Sequence, residues 1–250
     1  MTVQRHAAMP DGGPPKTRSQ RHRRVCGGPD EVHFLMSEEP ILAFMYTPAH
    51  FAPDSDASAR FLAEVVAGDL VTSTDGGLVA TFLPVLLDAG PGSRGSVVGH
   101  LARNNDQWQR AVRGEALFIA HGPDAYISPS WYASKAEHGR VVPTWNYATA
   151  HVYGELVVHD DTAWVGALVR RLTDRHEARR EHPWSVDDAP ARFTAGQLQA
   201  IVGVELVISR VEVKVKMSQN RPDRDIDGVV TGLAQDGRPD AAAMVDRSRS

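Results

Sequence analysis

The sequence predicts a mainly β protein with helices added, an α+β chain in which antiparallel hairpins close into a barrel. Three observations predict it. Leu70 to Thr74 and Leu78 to Leu87 are β-branched or apolar runs separated by Asp75-Gly-Gly77, a hairpin turn signal. From Val204 to Val215, Glu205, Glu212 and Lys214 alternate with Val211, Val213 and Val215, the period of a half-buried strand. About six or seven strand-like runs can be read in all, with few helices between the first ones, which favours antiparallel pairing over alternating βαβ units.

Bulk properties bound the class. At 250 residues, 42% of them hydrophobic, the chain can build a real core. The net charge of −4 hides an asymmetry: residues 1 to 30 carry six Lys or Arg against two Asp, whereas residues 31 to 250 carry 21 against 29. A body of about −8 repels phosphate backbones unless its cations cluster, which disfavours non-specific nucleic-acid binding. The lone Cys26 excludes an internal disulfide and a cysteine zinc site. No apolar run approaches the roughly 18 residues that cross a bilayer, no secretory signal is visible, and a cytoplasmic, reducing location is expected.

Residues 1 to 44 mix Gly, Pro, Arg, His and Ser without periodicity and are read as a disordered basic extension. Two accounts stand for it: an arm that touches DNA or an acidic partner, or an upstream extension with Met36 or Met45 as the biological start. Order is expected from Met45. Asp54 to Ser58 offers caps for a helix from Ala57 to Ala67 that Gly68 ends. Pro84 cannot donate to a ladder, so the second strand should have an edge or a bulge there. A Gly-rich turn over 89–95 leads to a strand from Ser96 to Ala102, and Asn104 is placed as the cap of a helix that has Trp108 and Val112 on one face.

The stretch Ala116 to Val158 is dense in Trp, Tyr and amide side chains between two apolar strand runs, Ala116 to Ala120 and Val152 to Val158. It is either a tightly packed sheet corner or a pocket for a planar ligand. Asp160 or Asp161 then caps a helix striped by Trp164, Leu168 and Leu172. Its far end carries Arg170, Arg171, Arg175, Arg179 and Arg180, a solvated face favoured by the helix dipole, or a surface for DNA. A helix from Thr194 holds Leu198 and Ile201 inside, a short helix ends at Leu233, and 236–250 reads as a polar tail.

Several chemistries are excluded. No Ser sits in a Gly-x-Ser-x-Gly context, and Gly90-Pro-Gly-Ser-Arg-Gly95 lacks the spacing of a phosphate loop or dinucleotide fingerprint. His100, His121 and His151 are isolated and read as hydrogen-bonded core residues rather than metal ligands. Gly99 to Asn105 turns from strand to helix, so its N–H groups with Arg103 suit a phosphate; an ordinary N-cap turn is the other reading.

Met45-Tyr-Thr-Pro-Ala-His-Phe51, Ala80-Thr-Phe-Leu-Pro84, Gly99-His-Leu-Ala-Arg-Asn104 with Gln107-Trp108, Val142-Pro-Thr-Trp-Asn-Tyr147, His151-Val-Tyr-Gly154 and Lys216-Met-Ser-Gln-Asn220 occur in order. This series resembles the PaiB family, the FMN-binding negative transcriptional regulators, from about Met45 to Leu233. The resemblance implies a homodimeric split β-barrel over 45–235 with FMN between protomers. It implies that Thr81, Phe82 and Leu83 flank the flavin ring, that Gly99, His100 and Leu101 flank the ribityl chain, and that Arg103 and Asn104 take the phosphate. Trp145, Asn146, Lys216, Ser218, Gln219 and Asn220 are partner-side candidates. Asp106 stands where the family pattern has Pro. Repression through an operator is implied by the resemblance alone, since no helix-turn-helix and no basic body are visible. An FMN-dependent oxidoreductase of the pyridoxamine-phosphate-oxidase-like class is the alternative, and a barrel that has lost flavin or holds haem through a His is a third.

Overall fold

The computed structural model describes residues 45–88 and 95–249. The N-terminal extension 1–44 and most of the Gly-rich turn before the third strand lie outside them. Six strands form one antiparallel ring: β1 (Ala67–Thr74), β2 (Gly77–Asp88), β3 (Ser96–Ala102), β4 (Ala116–Ile127), β5 (Thr144–His159) and β6 (Ile201–Lys216). They pair in the order β1-β2-β3-β6-β5-β4, and β4 returns to β1. This is the predicted α+β barrel with flanking helices.

The β1–β2 hairpin forms at the Asp75-Gly76 turn. Thr74 pairs with Gly77, whose φ is +103°, and the Thr74 hydroxyl donates to the Gly77 carbonyl at 2.9 Å and accepts from the Gly76 N–H at 3.2 Å. The edge expected at Pro84 is present. β2 pairs with β1 from Gly77 to Pro84, but with β3 only from Val85 to Asp88. On the β3 side, His100 to Ala102 bond to β6 and have no β2 partner. The ring therefore has a seam between the first part of β2 and the end of β3, and Pro84, without an N–H, stands where the ladder stops. Gly99 lies at the same point. A Cβ there would sit 2.7 Å from Leu83 Cδ1 and 3.0 Å from the Pro84 oxygen, closer than side chains pack.

Inward positions of the strands, among them Leu70, Leu83, Val97, Leu101, Phe118 and Val204, fill the barrel interior. Helix α1 (Ser55–Glu64) is capped by Asp54, which accepts from the Ala57 N–H at 2.7 Å; it stops before Ala67 because that residue opens β1. A short α2 (Ser134–His138) follows β4. Helix α3 (Thr162–Glu177) is capped by Asp161 and lays Leu168 and Leu172 on Leu86 and Val98 of the outer sheet face. Helix α4 (Ala191–Gln199) has no buried residue, and Ile201, expected inside a helix, begins β6. After β3 the chain makes only a 3-10 turn over Asp106–Gln109, capped by Asn105 rather than Asn104; Val112 instead bridges to Thr74.

The C-terminus corrects the reading of 236–250 as a polar tail. Helix α5 (Asp223–Gln235) is followed by α6 (Pro239–Arg247), whose Ala241, Ala242, Met244 and Val245 are buried in the main core. Two alanines and two larger apolar residues make one narrow helical stripe, a pattern that composition conceals. Across from it, Trp131 lies flat on α5: a Cβ on Gly232 would be 2.3 Å from its ring, and one on Gly228 would be 1.9 Å from its carbonyl oxygen.

Ending the chain after Gln235 should expose this apolar surface and lower the thermal midpoint by several degrees. A calorimetric midpoint equal to that of the full chain would contradict the packing of α6.

Candidate functional site

Beside the seam lies a hydrogen-bond network that sequence reading did not assign. Gln107, fully buried, donates from Nε2 to the Leu70 carbonyl, the Thr72 hydroxyl and the Val79 carbonyl at 3.1, 3.1 and 3.3 Å. Its Oε1 accepts from the Thr81 hydroxyl at 2.5 Å, and Asn105 Nδ2 donates to the same hydroxyl at 2.9 Å. One amide thus ties the turn after β3 to both strands of the first hairpin. Thr81, expected beside the flavin ring, uses its side chain inside this network. The Gln107-Trp108 pair was visible as a motif; its role needed the hairpin and the turn to be seen together.

The remaining seam residues separate by face. Leu83 and Leu101 are 3% and 2% exposed and point into the barrel core, so their side chains are not available to a ligand. Strand alternation is the reason: within Thr81-Phe82-Leu83 and Gly99-His100-Leu101 only the middle residue points outward. Phe82 is 66% exposed on the outer face. His100 faces α3 and lines two adjoining cavities of 310 and 270 Å³ with Val169 and Trp184. Its buried Nδ1 has no hydrogen-bond partner, which corrects the expectation of a satisfied core histidine, and burial lowers its pKa, so the ring is neutral at neutral pH.

Arg103 is engaged within the chain. Nε donates to the Gln199 carbonyl at 2.7 Å, Nη1 and Nη2 hold both Asp160 oxygens at 3.2 and 2.6 Å, and Nη2 also reaches the Ile201 carbonyl at 3.2 Å. The Asp160 hydrogen bonds raise its pKa further, and Trp108 Nε1 donates to its carbonyl at 3.1 Å. A guanidinium has five N–H donors, and four are used here. The phosphate role would have to compete with Asp160. Asn104 is exposed beside it.

A second group gathers where β5 begins and β6 ends. Trp145 is half-exposed, donates to Asp124 Oδ1 at 2.9 Å and meets Tyr126 edge-on at 6.3 Å. Asn146 faces inward, donates to the Ser218 hydroxyl at 2.9 Å and leaves Oδ1 without a partner. Lys216 Nζ donates to Thr144 Oγ1 and the Trp145 carbonyl, both at 2.5 Å. Ser218 has φ of +67°, an uncommon conformation for a non-glycine residue. Gln219 closes the turn by accepting from the Met217 N–H and donating to the Val215 carbonyl, each at 2.7 Å, and Asn220 is exposed.

Between the two groups runs the outer face of β2, β1, β4, β5 and β6. Cross-strand partners set Phe82, Asp69, Ile119, His151 and Glu212 in one row, and Ala80, Val71, Leu117, Tyr153 and Arg210 in the next. His121 contacts Asp69 at 3.1 Å. Burial is the main cause of the lowered pKa of His151. Among the described residues no cluster of three metal-ligating side chains occurs, and no helix is long and apolar enough to cross a membrane.

The family model described as "Putative FMN-binding domain" matches residues 45–210. The chain belongs to this FMN-binding family. The protein named "Protease synthase and sporulation protein PAI 2" of Bacillus subtilis is 30% identical over 204 residues, covering 81% of this chain and 95% of that one. An uncharacterized protein of Emericella nidulans is 30% identical over 186 residues, 62% of this chain and 74% of its own. The PaiB resemblance read from the motifs therefore holds. Among solved structures, a conserved hypothetical protein of Mycobacterium tuberculosis aligns with a TM-score of 0.49 at 12% identity, covering 71% of this chain and 94% of that one.

Gln107→Leu keeps the volume of the seam network but strands its buried partners, and should cost about 1–3 kcal/mol in urea unfolding; an unchanged midpoint would remove the network from the fold's support. Arg103→Ala should lower thermal stability in apoprotein, because it releases Asp160 and the Gln199 and Ile201 carbonyls together. A variant as stable as the parent without flavin would leave Arg103 free for a ligand role.

Proposed function

We propose that the protein is an FMN-loaded homodimer with the flavin between protomers, acting as a negative regulator of transcription in the way the PaiB resemblance implies. The observation that carries the flavin and dimer parts is the separation along β6 of the Arg103–Asn104 turn from the Trp145–Lys216 group. Ala102 pairs with Ile201 at one end and Tyr147 pairs with Lys216 at the other. The Arg103 turn and Lys216 are thus roughly 50 Å apart along the strand at about 3.3 Å per residue, whereas Phe82 lies toward the second group, in one cavity with Asp124, which accepts from the Trp145 indole. A two-fold partner would bring the seam of one chain to the far end of the other. The outer face supports the same reading, since Leu78 and Phe82 stand 77% and 66% exposed beside half-buried Val71, Leu117 and Ile119.

The regulatory part rests on the family and on PAI 2, whose name attaches it to sporulation. Helix α3 is a poor DNA surface: Arg170 pairs with Asp187, Arg171 with Asp88, and Arg175 donates to the Ala63 and Val65 carbonyls. An operator contact would use other residues. A cytoplasmic setting accords with the single cysteine. One observation favours a second reading, an FMN-dependent oxidoreductase: the neutral His100 has an unpartnered Nδ1 beside an apolar cavity, where a small substrate could be held.

Purified protein should carry flavin absorbance and sediment as a dimer. Its own promoter fragment should be retarded in gels at physiological salt. Steady bleaching of the flavin by NAD(P)H and its reoxidation by an added electron acceptor, with turnover and without promoter binding, would replace the regulator by the oxidoreductase. A colourless monomer that takes up no added FMN would end both.

A further inference from the structure

At the end of β6 three cations lie together with no carboxylate partner among the described residues. Lys214 is 9% exposed, yet among the described residues its ammonium donates only to the Tyr46 carbonyl, at 2.8 Å. Lys216, two residues on and on the same face, bonds among the described residues to the Thr144 hydroxyl and the Trp145 carbonyl. Both ammonium groups approach the Tyr147 ring, at 5.4 and 5.9 Å from its centre. Arg221 lies over the Tyr132 ring at 4.7 Å and forms no ion pair among the described residues. Glu212, the acid next along this face, is spent on the Met45 N–H and on Arg210.

Buried cations are ordinarily paired, because removing a charge from water without a counter-charge is costly. The contrast with Arg103, which has its carboxylate and two carbonyls, is direct. Resting on the flavin reading above, we infer that Lys214, Lys216 and Arg221 form the seat of a phosphate monoester, and that the phosphate end of FMN docks there rather than at Arg103. The neighbourhood supports it. Burial first, then the charges of Lys214 and Arg221, hold the Lys216 pKa below the ordinary lysine value, and an arriving dianion would relieve that repulsion. Exposed Trp145 and Tyr126 stand beside the seat as apolar surface for the rest of such a ligand.

The shared chemistry is a phosphate monoester, whether it belongs to the flavin or to a separate phosphorylated metabolite. The test titrates the full chain with FMN and with riboflavin, which lacks the phosphate, and follows the broadening of the phosphorus resonance of inorganic phosphate. The parent should prefer FMN over riboflavin by at least about tenfold. Lys216→Met and Arg221→Met, both at partly exposed positions, should each erase most of that preference while leaving riboflavin affinity and thermal midpoint near the parent. Arg103→Ala should keep the preference. Retention of the preference in both variants, or its loss in Arg103→Ala alone, overturns the assignment. If neither flavin binds but phosphate is broadened and Lys216→Met abolishes the broadening, the seat stands for another phosphate ester and the flavin reading falls. If neither flavin nor phosphate binds, the seat falls as well.

Discussion

The structure depends on a strand that changes partners. β2 begins as half of a hairpin with β1 and ends as the neighbour of β3, and the exchange happens at the one residue in it that has no N–H. Because Pro84 cannot extend the β3 ladder, His100 to Ala102 are free on that side and the ring carries a seam. The opening would be a loss of pairing with nothing to hold it, were Gln107 not bonded to the backbone or side chains of β1 and β2 from the turn beyond β3.

Arg103 and the cations at the end of β6 show how a similar charge can serve opposite ends. Arg103 spends four of its five donors within the chain: its fork joins the turn after β3 to the residue before the α3 cap and to the residues around the start of β6, so its work is to hold three segments together. The lysines at the other end of β6 are set on aromatic rings and carbonyl groups, which solvate a cation without neutralising it. Selection for stability alone would place a carboxylate beside them. Among the described residues none stands there.

Much of the fold was legible because it is written locally. The Asp75-Gly-Gly77 turn, the β3 strand from Ser96 to Ala102, the Asp161 cap and the edge at Pro84 each follow from a few adjacent residues. What failed needed distance. Arg103 finds Asp160 57 residues away and the Gln199 carbonyl 96 away, so a motif that suits a phosphate could not reveal that its cation was taken. The inward turn of Leu83 and Leu101 depends on how the ring closes, and helix α6 hid behind alanines that count as weakly apolar. The family motifs name triplets along strands, and only the alternation of the strand decides which side chain in each faces outward.

Trp131 against α5 has a consequence for anyone engineering this chain. Helical glycines are the usual first targets for raising thermostability, since a methyl group restricts the unfolded ensemble at little cost. Gly228 and Gly232 invite that treatment by position, but the indole and its carbonyl already occupy the space a methyl would need. In this helix the absent side chains act as a socket, and a consensus-minded redesign that filled it would push the aromatic plug out of its seat.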